Sequence, residues 1–113
     1  MHRDQIPPGT LYLLILTTLA RGRVLHHGYE IARSIQLISE NVLTVEEGSL
    51  YPALQRMLAK GWVRATWGTT AENRRARYYR LTRAGRYQLT AEVSHFQRVF
   101  AAITRVIEAV DTA

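Results

Sequence analysis

The 113-residue chain has no cysteine and only three prolines, and Lys60 is its one lysine. Without cysteine there are no disulfides, no thiolate metal ligands and no cysteine nucleophile. That composition fits a reducing cytoplasm, which is the expected location. The longest apolar run, Leu11 to Leu16, falls well short of the roughly 18 residues needed to cross a bilayer. Its flanks, Pro7-Pro8-Gly9 before and Arg21 and Arg23 after, reverse the charge order of a signal peptide. No membrane partner is therefore expected. There is no Gly-rich phosphate loop, no Ser/His/Asp arrangement in a recognisable context, and no carboxylate pair beyond Glu46-Glu47. No catalytic residue and no cofactor are assigned on that basis. His26 and His27 are adjacent, and on a helix neighbouring side chains point about 100° apart, a poor arrangement for one metal. With no acidic or thiol partner nearby, no metal site is assigned, and His27 is expected instead to contact backbone or phosphate.

What the chain does have is an ordinary globular composition, 47% apolar and 21% charged, at a length that suits one domain. The net charge is +6. Arginine carries nearly all the positive charge, and its planar guanidinium binds phosphate bidentately. A GC-rich genome would also favour arginine, so placement says more than abundance. From Arg56 to Arg86 there are nine basic residues against Glu72 alone, whereas beyond Tyr87 two basic residues face three acidic ones. The first part of the chain thus seeks an anionic partner and the last part does not, the plainer alternative being a solvated charged face.

Periodicity supplies the elements. The residues up to Pro8 read as an irregular arm. Thr10 is a candidate N-cap for a first helix with Leu11, Leu14, Ile15 and Leu19 at helical spacing, ending near Arg21 at Gly22. A second helix is predicted over Tyr29 to Ile38, with Ile31, Ile35 and Ile38 as its buried stripe. Thr44 and Glu47 have capping-box spacing and open a third helix. Its inward face is Leu50, Leu54, Met57 and Leu58, its end is Gly61, and Pro52 lies inside it where a bend is expected. Ser49, Pro52, Ala53, Gln55, Arg56 and Lys60 are left on the opposite face. Trp62 to Trp67 and Arg77 to Leu81 read as a β-hairpin around a polar Gly68–Asn73 turn, with Arg74 and Arg75 at a basic tip. Tyr29, Tyr79 and Trp62 are read as core or core-edge aromatics, and either Tyr78 or Tyr79 must face out. Thr82 then caps a helix reaching about Val110. Its apolar positions Leu89, Val93, Phe96, Phe100, Ile103, Ile107 and Val110 follow an uninterrupted a/d heptad spacing, widened by Val99 and Val106. A helix of this length is about 43 Å long, too long for its own small domain to cover.

The order of elements predicts a mainly α fold with a small β-hairpin: a winged helix-turn-helix over residues 1–82 and a long C-terminal dimerisation helix over 83–113. In such motifs the second helix of the pair lies in the major groove, and the basic wing lies along phosphates or in the minor groove. Ser49, Gln55, Arg56 and Lys60 are then candidate contacts of the recognition helix, and Arg74, Arg75 and Arg77 of the wing. The expected partners are double-stranded DNA and a second copy of the chain. A protein adaptor and a non-specific nucleic-acid binder, RNA included, remain as alternatives.

Four segments carry a family resemblance. His27-Gly28-Tyr29-Glu30-Ile31, Gly48-Ser49-Leu50-Tyr51-Pro52-Ala53-Leu54, Lys60-Gly61-Trp62-Val63 and Arg77-Tyr78-Tyr79-Arg80-Leu81-Thr82-Arg83-Ala84-Gly85 resemble the signature segments of the PadR family of bacterial transcriptional regulators. The resemblance runs from about Leu11 to Leu89 and is specific in its order. It implies a dimeric repressor of the family's short form. By position it puts Ser49, Leu50, Tyr51 and Pro52 at the start of the recognition helix, with Leu50 facing the core and the other three on DNA. Some members respond to phenolic acids or diverse drugs, which makes Phe96 and Phe100 candidates for a small aromatic or drug-like effector site. Their plainer role is dimer core. Two departures stand out: Leu58 follows Met57 where the family often has an acidic residue, and His26 is an extra histidine.

Overall fold

The structure is a computed structural model and describes residues 4–6, 9–21 and 26–111. In chain order its elements are β1 (Asp4–Gln5), α1 (Leu11–Ala20), β2 (His26–His27), α2 (Gly28–Ile38), β3 (Leu43–Thr44), α3 (Glu47–Ala59), β4 (Val63–Thr69), β5 (Arg75–Leu81) and α4 (Arg83–Asp111). Three short helices and one face of the hairpin enclose a single core. It is built from Ile15, Leu16 and Leu19 of α1, Ile31 and Ile35 of α2, Leu50, Ala53, Leu54 and Met57 of α3, and Val63 and Tyr79 of the hairpin. Each fully buried side chain of this size contributes about 1.5–3 kcal/mol. The hydroxyl of Thr18, buried among them, donates to the Leu14 carbonyl at 2.8 Å, so it brings no unsatisfied group into the core.

The hairpin pairs Val63 with Leu81 through Thr69 with Arg75, and β2 adds a third, antiparallel strand on the β5 side, with His26 opposite Tyr79 and His27 opposite Tyr78. Separately, β1 pairs in parallel with β3, Gln5 opposite Thr44, so part of the arm read as irregular is a short strand. That pairing is why the expected capping box does not form. Thr44 extends along β1, its hydroxyl makes no hydrogen bond, and α3 begins two residues later behind Glu46, which makes no side-chain cap either. Thr10 holds the N-cap position of α1 but makes no side-chain cap bond. Gly22, the expected stop of that helix, lies outside the described residues.

Four further expectations shift. Tyr29, expected at the core or its edge, is 61% exposed, because it lies outside the Ile31–Ile35 stripe of α2. Ile38 is 54% exposed, because α2 ends there at its Ser39 cap and the last turn has left the core. Ala53 is fully buried rather than on the outer face, since it sits beside Leu50, Leu54 and Met57 on the helical surface. Leu58, by contrast, is only half-buried, packed at the core's margin. Helix α3 runs through Pro52 as one unbroken element. Its end is a Schellman motif: Trp62 N–H donates to the Met57 carbonyl at 3.0 Å and Gly61 N–H to Leu58 at 3.1 Å. Gly61 takes φ +75°, the left-handed conformation that glycine adopts without penalty.

The junction into α4 is tight. Thr82 donates its hydroxyl to the Gly61 carbonyl at 2.6 Å, accepts from Gly85 N–H at 3.0 Å, and its own N–H donates to the Trp62 carbonyl at 3.0 Å. One threonine thus caps α4 and ties its start to the end of α3. From there α4 runs for 29 residues, and the molecule measures 60 × 36 × 23 Å. Its radius of gyration is 16.1 Å, against about 13 Å for a compact domain of similar length. The excess is the projecting helix.

Candidate nucleic-acid interface

Helix α3 buries one side and leaves Ser49, Tyr51, Pro52, Gln55, Arg56 and Lys60 exposed. At 100° per residue these do not form one stripe. Pro52 and Gln55 lie near the middle of the outer surface, Tyr51 on one flank, and Ser49, Arg56 and Lys60 on the other. The flanks differ in what holds them. Arg56 Nε donates to the Tyr12 hydroxyl of α1 at 2.5 Å, and its guanidinium lies 5.6 Å from the centre of that ring. The Lys60 ammonium sits 5.2 Å from the Trp62 ring, which meets Tyr12 edge-on at 5.5 Å. Both cations are therefore held on an aromatic pair rather than swinging free. Nothing in the one-dimensional pattern points to Tyr12, a residue 44 positions from Arg56.

On the other flank Tyr51 lies against the start of α2. A Cβ on Gly28 would come within 2.8 Å of the Tyr51 ring and hydroxyl, so the absence of a side chain at Gly28 is what admits the ring. Tyr51 also neighbours Tyr79, whose hydroxyl is pushed above its ordinary pKa by burial, against the opposing pull of Arg77 and with a smaller push from Tyr51. The ring packs here without being enclosed, since Tyr51 remains 42% exposed.

His27 has a role that the sequence pattern does not reveal. It is the N-cap of α2: its Nδ1 accepts from Glu30 N–H at 3.4 Å, and the Glu30 carboxylate accepts from His27 N–H at 3.1 Å. This is a reciprocal capping box with histidine in place of the usual serine or threonine. The ring also meets Tyr78 of the wing edge-on at 5.7 Å and stacks with Tyr29 at 6.3 Å. Among the described residues no three His, Asp or Glu side chains gather into a metal site.

The wing tip is the loop from Thr70 to Arg74. It is closed by Thr70 N–H to the Arg74 carbonyl at 2.7 Å and by Arg74 N–H to the Thr70 hydroxyl at 3.1 Å. Asn73 takes the left-handed conformation at φ 61°, which asparagine tolerates better than most residues. The strands reach further towards the tip than the sequence suggests, taking in Gly68 and Thr69. Arg74 and Arg75 are exposed. Arg77 is half-buried, and its Nε is enclosed without a hydrogen-bond partner. Trp67, absent from the sequence-based candidates, stands between the two strand arginines on one hairpin face. Arg64 and Arg80 pair across the other face, both exposed.

Along α4 the apolar seam divides in two. Leu89 packs on the molecule's own core and Val93 is half-buried. From Phe96 onward the seam is open: Phe96 42%, Phe100 60%, Ile103 53% and Ile107 58% exposed, with Val99 and Val106 beside them. The Phe96 and Phe100 rings stack at 5.8 Å. The Val110 side chain lies outside the described residues. Among the described residues no helix is long and apolar enough to cross a membrane.

Comparison with known proteins agrees with this architecture. The model of the Transcriptional regulator PadR-like family matches residues 15–91. An uncharacterised protein of Lysinibacillus sphaericus is 28% identical over 111 residues, 98% of this chain and all of that one. Among solved structures, a transcriptional regulator from Clostridium thermocellum superposes with a TM-score of 0.77 at 25% identity, covering 86% of this chain and 92% of its own. A PadR-like transcriptional regulator from Bacillus cereus superposes with a TM-score of 0.72 at 24% identity, covering 88% and 92%. The family match spans α1 through the start of α4, the stretch that holds the helix pair, the wing and the clamp at Thr82. The chain belongs to the PadR-like family of transcriptional regulators and is built on the winged-helix DNA-binding fold.

Proposed function

We propose that this chain is a homodimeric repressor that binds an inverted-repeat operator. Two copies pair through the open part of the α4 seam, Phe96, Phe100, Ile103 and Ile107, extended by Val110. The pair presents two recognition helices to successive major grooves about 34 Å apart. Pro52 and Gln55 face the base edges, with Ser49, Tyr51, Arg56 and Lys60 flanking them. Arg74, Arg75 and Arg77 take phosphates beside the groove. His27 acts through α2, whose first turn it caps. Repression follows from occupying a promoter that polymerase needs.

The observation that carries the reading is the apolar stripe on α4, exposed for the last several turns of a helix that outruns its own core. Burying such side chains contributes about 1.5–3 kcal/mol each, counted in both copies, and a two-fold pairing is the simplest way to bury them. A flat aromatic or drug-like effector binding near the stacked Phe96 and Phe100 would relieve repression, provided that it binds one spacing of the two wings more tightly than the other.

The test is a titration of duplex from the chain's own promoter region against a scrambled duplex across a salt series. Specific repression predicts a large affinity gap at equal salt. Equal affinities would reduce the protein to a charge-driven binder, and no binding to either would favour an adaptor.

A further inference from the structure

The sequence assigns the wing's DNA binding to its arginines alone, and the register shows what holds two of them. Trp67 lies directly opposite Arg77 across the hairpin, with Arg75 on the diagonal. Arg75 places its guanidinium 4.4 Å from the centre of the indole and Arg77 at 5.7 Å. Trp67 itself is 59% exposed, so the core does not need it. The opposite face of the same strands is stiffened: Tyr78 covers Gly68, where a Cβ would fall 2.9 Å from its ring, and its hydroxyl donates to the Thr69 carbonyl at 3.4 Å.

An exposed tryptophan between two cations has a cost in solubility and no packing return. It does have an electrostatic use. The negative face of the ring attracts guanidinium. An arginine already held in one geometry loses less rotamer freedom when it meets a phosphate. The geometry points to Trp67 as a positioning residue for DNA binding: its indole holds the Arg75 and Arg77 guanidiniums in place on one face of the wing before the duplex arrives. The inference rests on the DNA-binding reading above. It differs from a charge argument in a measurable way. Removing an arginine removes a phosphate contact and so changes the salt slope. Removing the indole leaves every charge in place and raises only the cost of ordering it.

The experiment measures fluorescence anisotropy of a labelled mixed-sequence duplex of about three helical turns, titrated with the full chain across a salt series. Wild type, Trp67→Ala, Trp67→Phe and Arg75→Ala are compared, with far-UV circular dichroism confirming that each variant folds. Trp67→Ala should weaken binding by at least about tenfold at every salt concentration, the cost of immobilising two more rotamer-rich side chains in each copy, with the log–log slope unchanged. Trp67→Phe, which keeps an aromatic face, should recover most of the loss. Arg75→Ala should flatten the slope by about 0.9 for each copy on the duplex, about 1.8 for a bound dimer. Undiminished affinity in Trp67→Ala, or a loss that Trp67→Phe leaves unrepaired, overturns the assignment. Wild type that fails to bind the duplex at low salt overturns the DNA reading and this inference together, an outcome visible before any variant is made.

Discussion

Replacing Gly85 by alanine sets two effects of opposite sign against each other. Gly85 lies in the first turn of a long helix, where propensity alone favours alanine by about 1 kcal/mol. The structure opposes this. A Cβ at Gly85 would lie 2.0 Å from the Trp62 carbonyl oxygen, 3.0 Å from its carbon and 3.1 Å from Leu81 Cδ2, where ordinary contact begins at 3.4 Å. The obstacle is backbone, so no side chain can swing aside. The start of α4 must lift by more than an ångström, which strains the Thr82 bonds to the Gly61 and Trp62 carbonyls. Overpacking of this kind costs about 1–3 kcal/mol, and each lost hydrogen bond about 1 kcal/mol. Against the propensity gain the net expectation is a loss of about 2–4 kcal/mol, a large share of the roughly 5–15 kcal/mol that holds a small domain folded. Urea denaturation followed by circular dichroism, at one protein concentration so that any self-association is held fixed, measures it. Gly48→Ala is the control: nothing lies within 4 Å of its Cβ, so it should gain about 0.5 kcal/mol. A Gly85→Ala variant as stable as wild type, or stabilised like the control, would refute the close approach of α4 to Trp62.

Three further outcomes are expected. His27→Ala should cost about 1 kcal/mol through loss of the α2 cap, and a cycle with Glu30→Ala should show coupling between the two, since each caps the other. Gly28→Ala should cost less than Gly85→Ala, because the obstructing atoms belong to the partly exposed Tyr51 ring, which can rotate away; the displaced ring should appear as a changed Tyr51 environment by NMR. The raised pKa of Tyr79 means that the folded chain keeps a proton which the unfolded chain loses from about pH 10 upward, so this contribution to stability is complete below pH 10 and fades above it. Urea midpoints should therefore fall more steeply with alkaline pH in wild type than in Tyr79→Phe.

Long-period features were legible in the sequence and non-local ones were not. The seam of α4 and its length follow from spacing, and the hairpin follows from a switch to β-formers around a polar turn. The stop of α3 follows from Gly61. The capping residues show where pattern fails. Thr44 and Glu47 have the right chemistry and spacing, but two residues of pairing with β1 take Thr44 out of reach. The box that does form uses His27, outside the usual set of N-cap residues. Ala53, expected on the outer face, is carried inside by the angle of its position on the helix. The tethering of Arg56 to Tyr12 and of Arg75 and Arg77 to Trp67 depends on tertiary packing and on strand register. Residue type alone marks such arginines as free charge.

The central claim is that the open seam of α4 joins two chains and so sets the spacing of two DNA-binding surfaces. Sedimentation equilibrium of wild type and Phe100→Glu, each with and without promoter duplex, tests it most directly. Wild type should sediment at twice the 12.9 kDa chain mass, and Phe100→Glu at 12.9 kDa with its helical signal intact and its promoter affinity lost. Wild type sedimenting as a single chain, or Phe100→Glu that remains a dimer, would contradict the account.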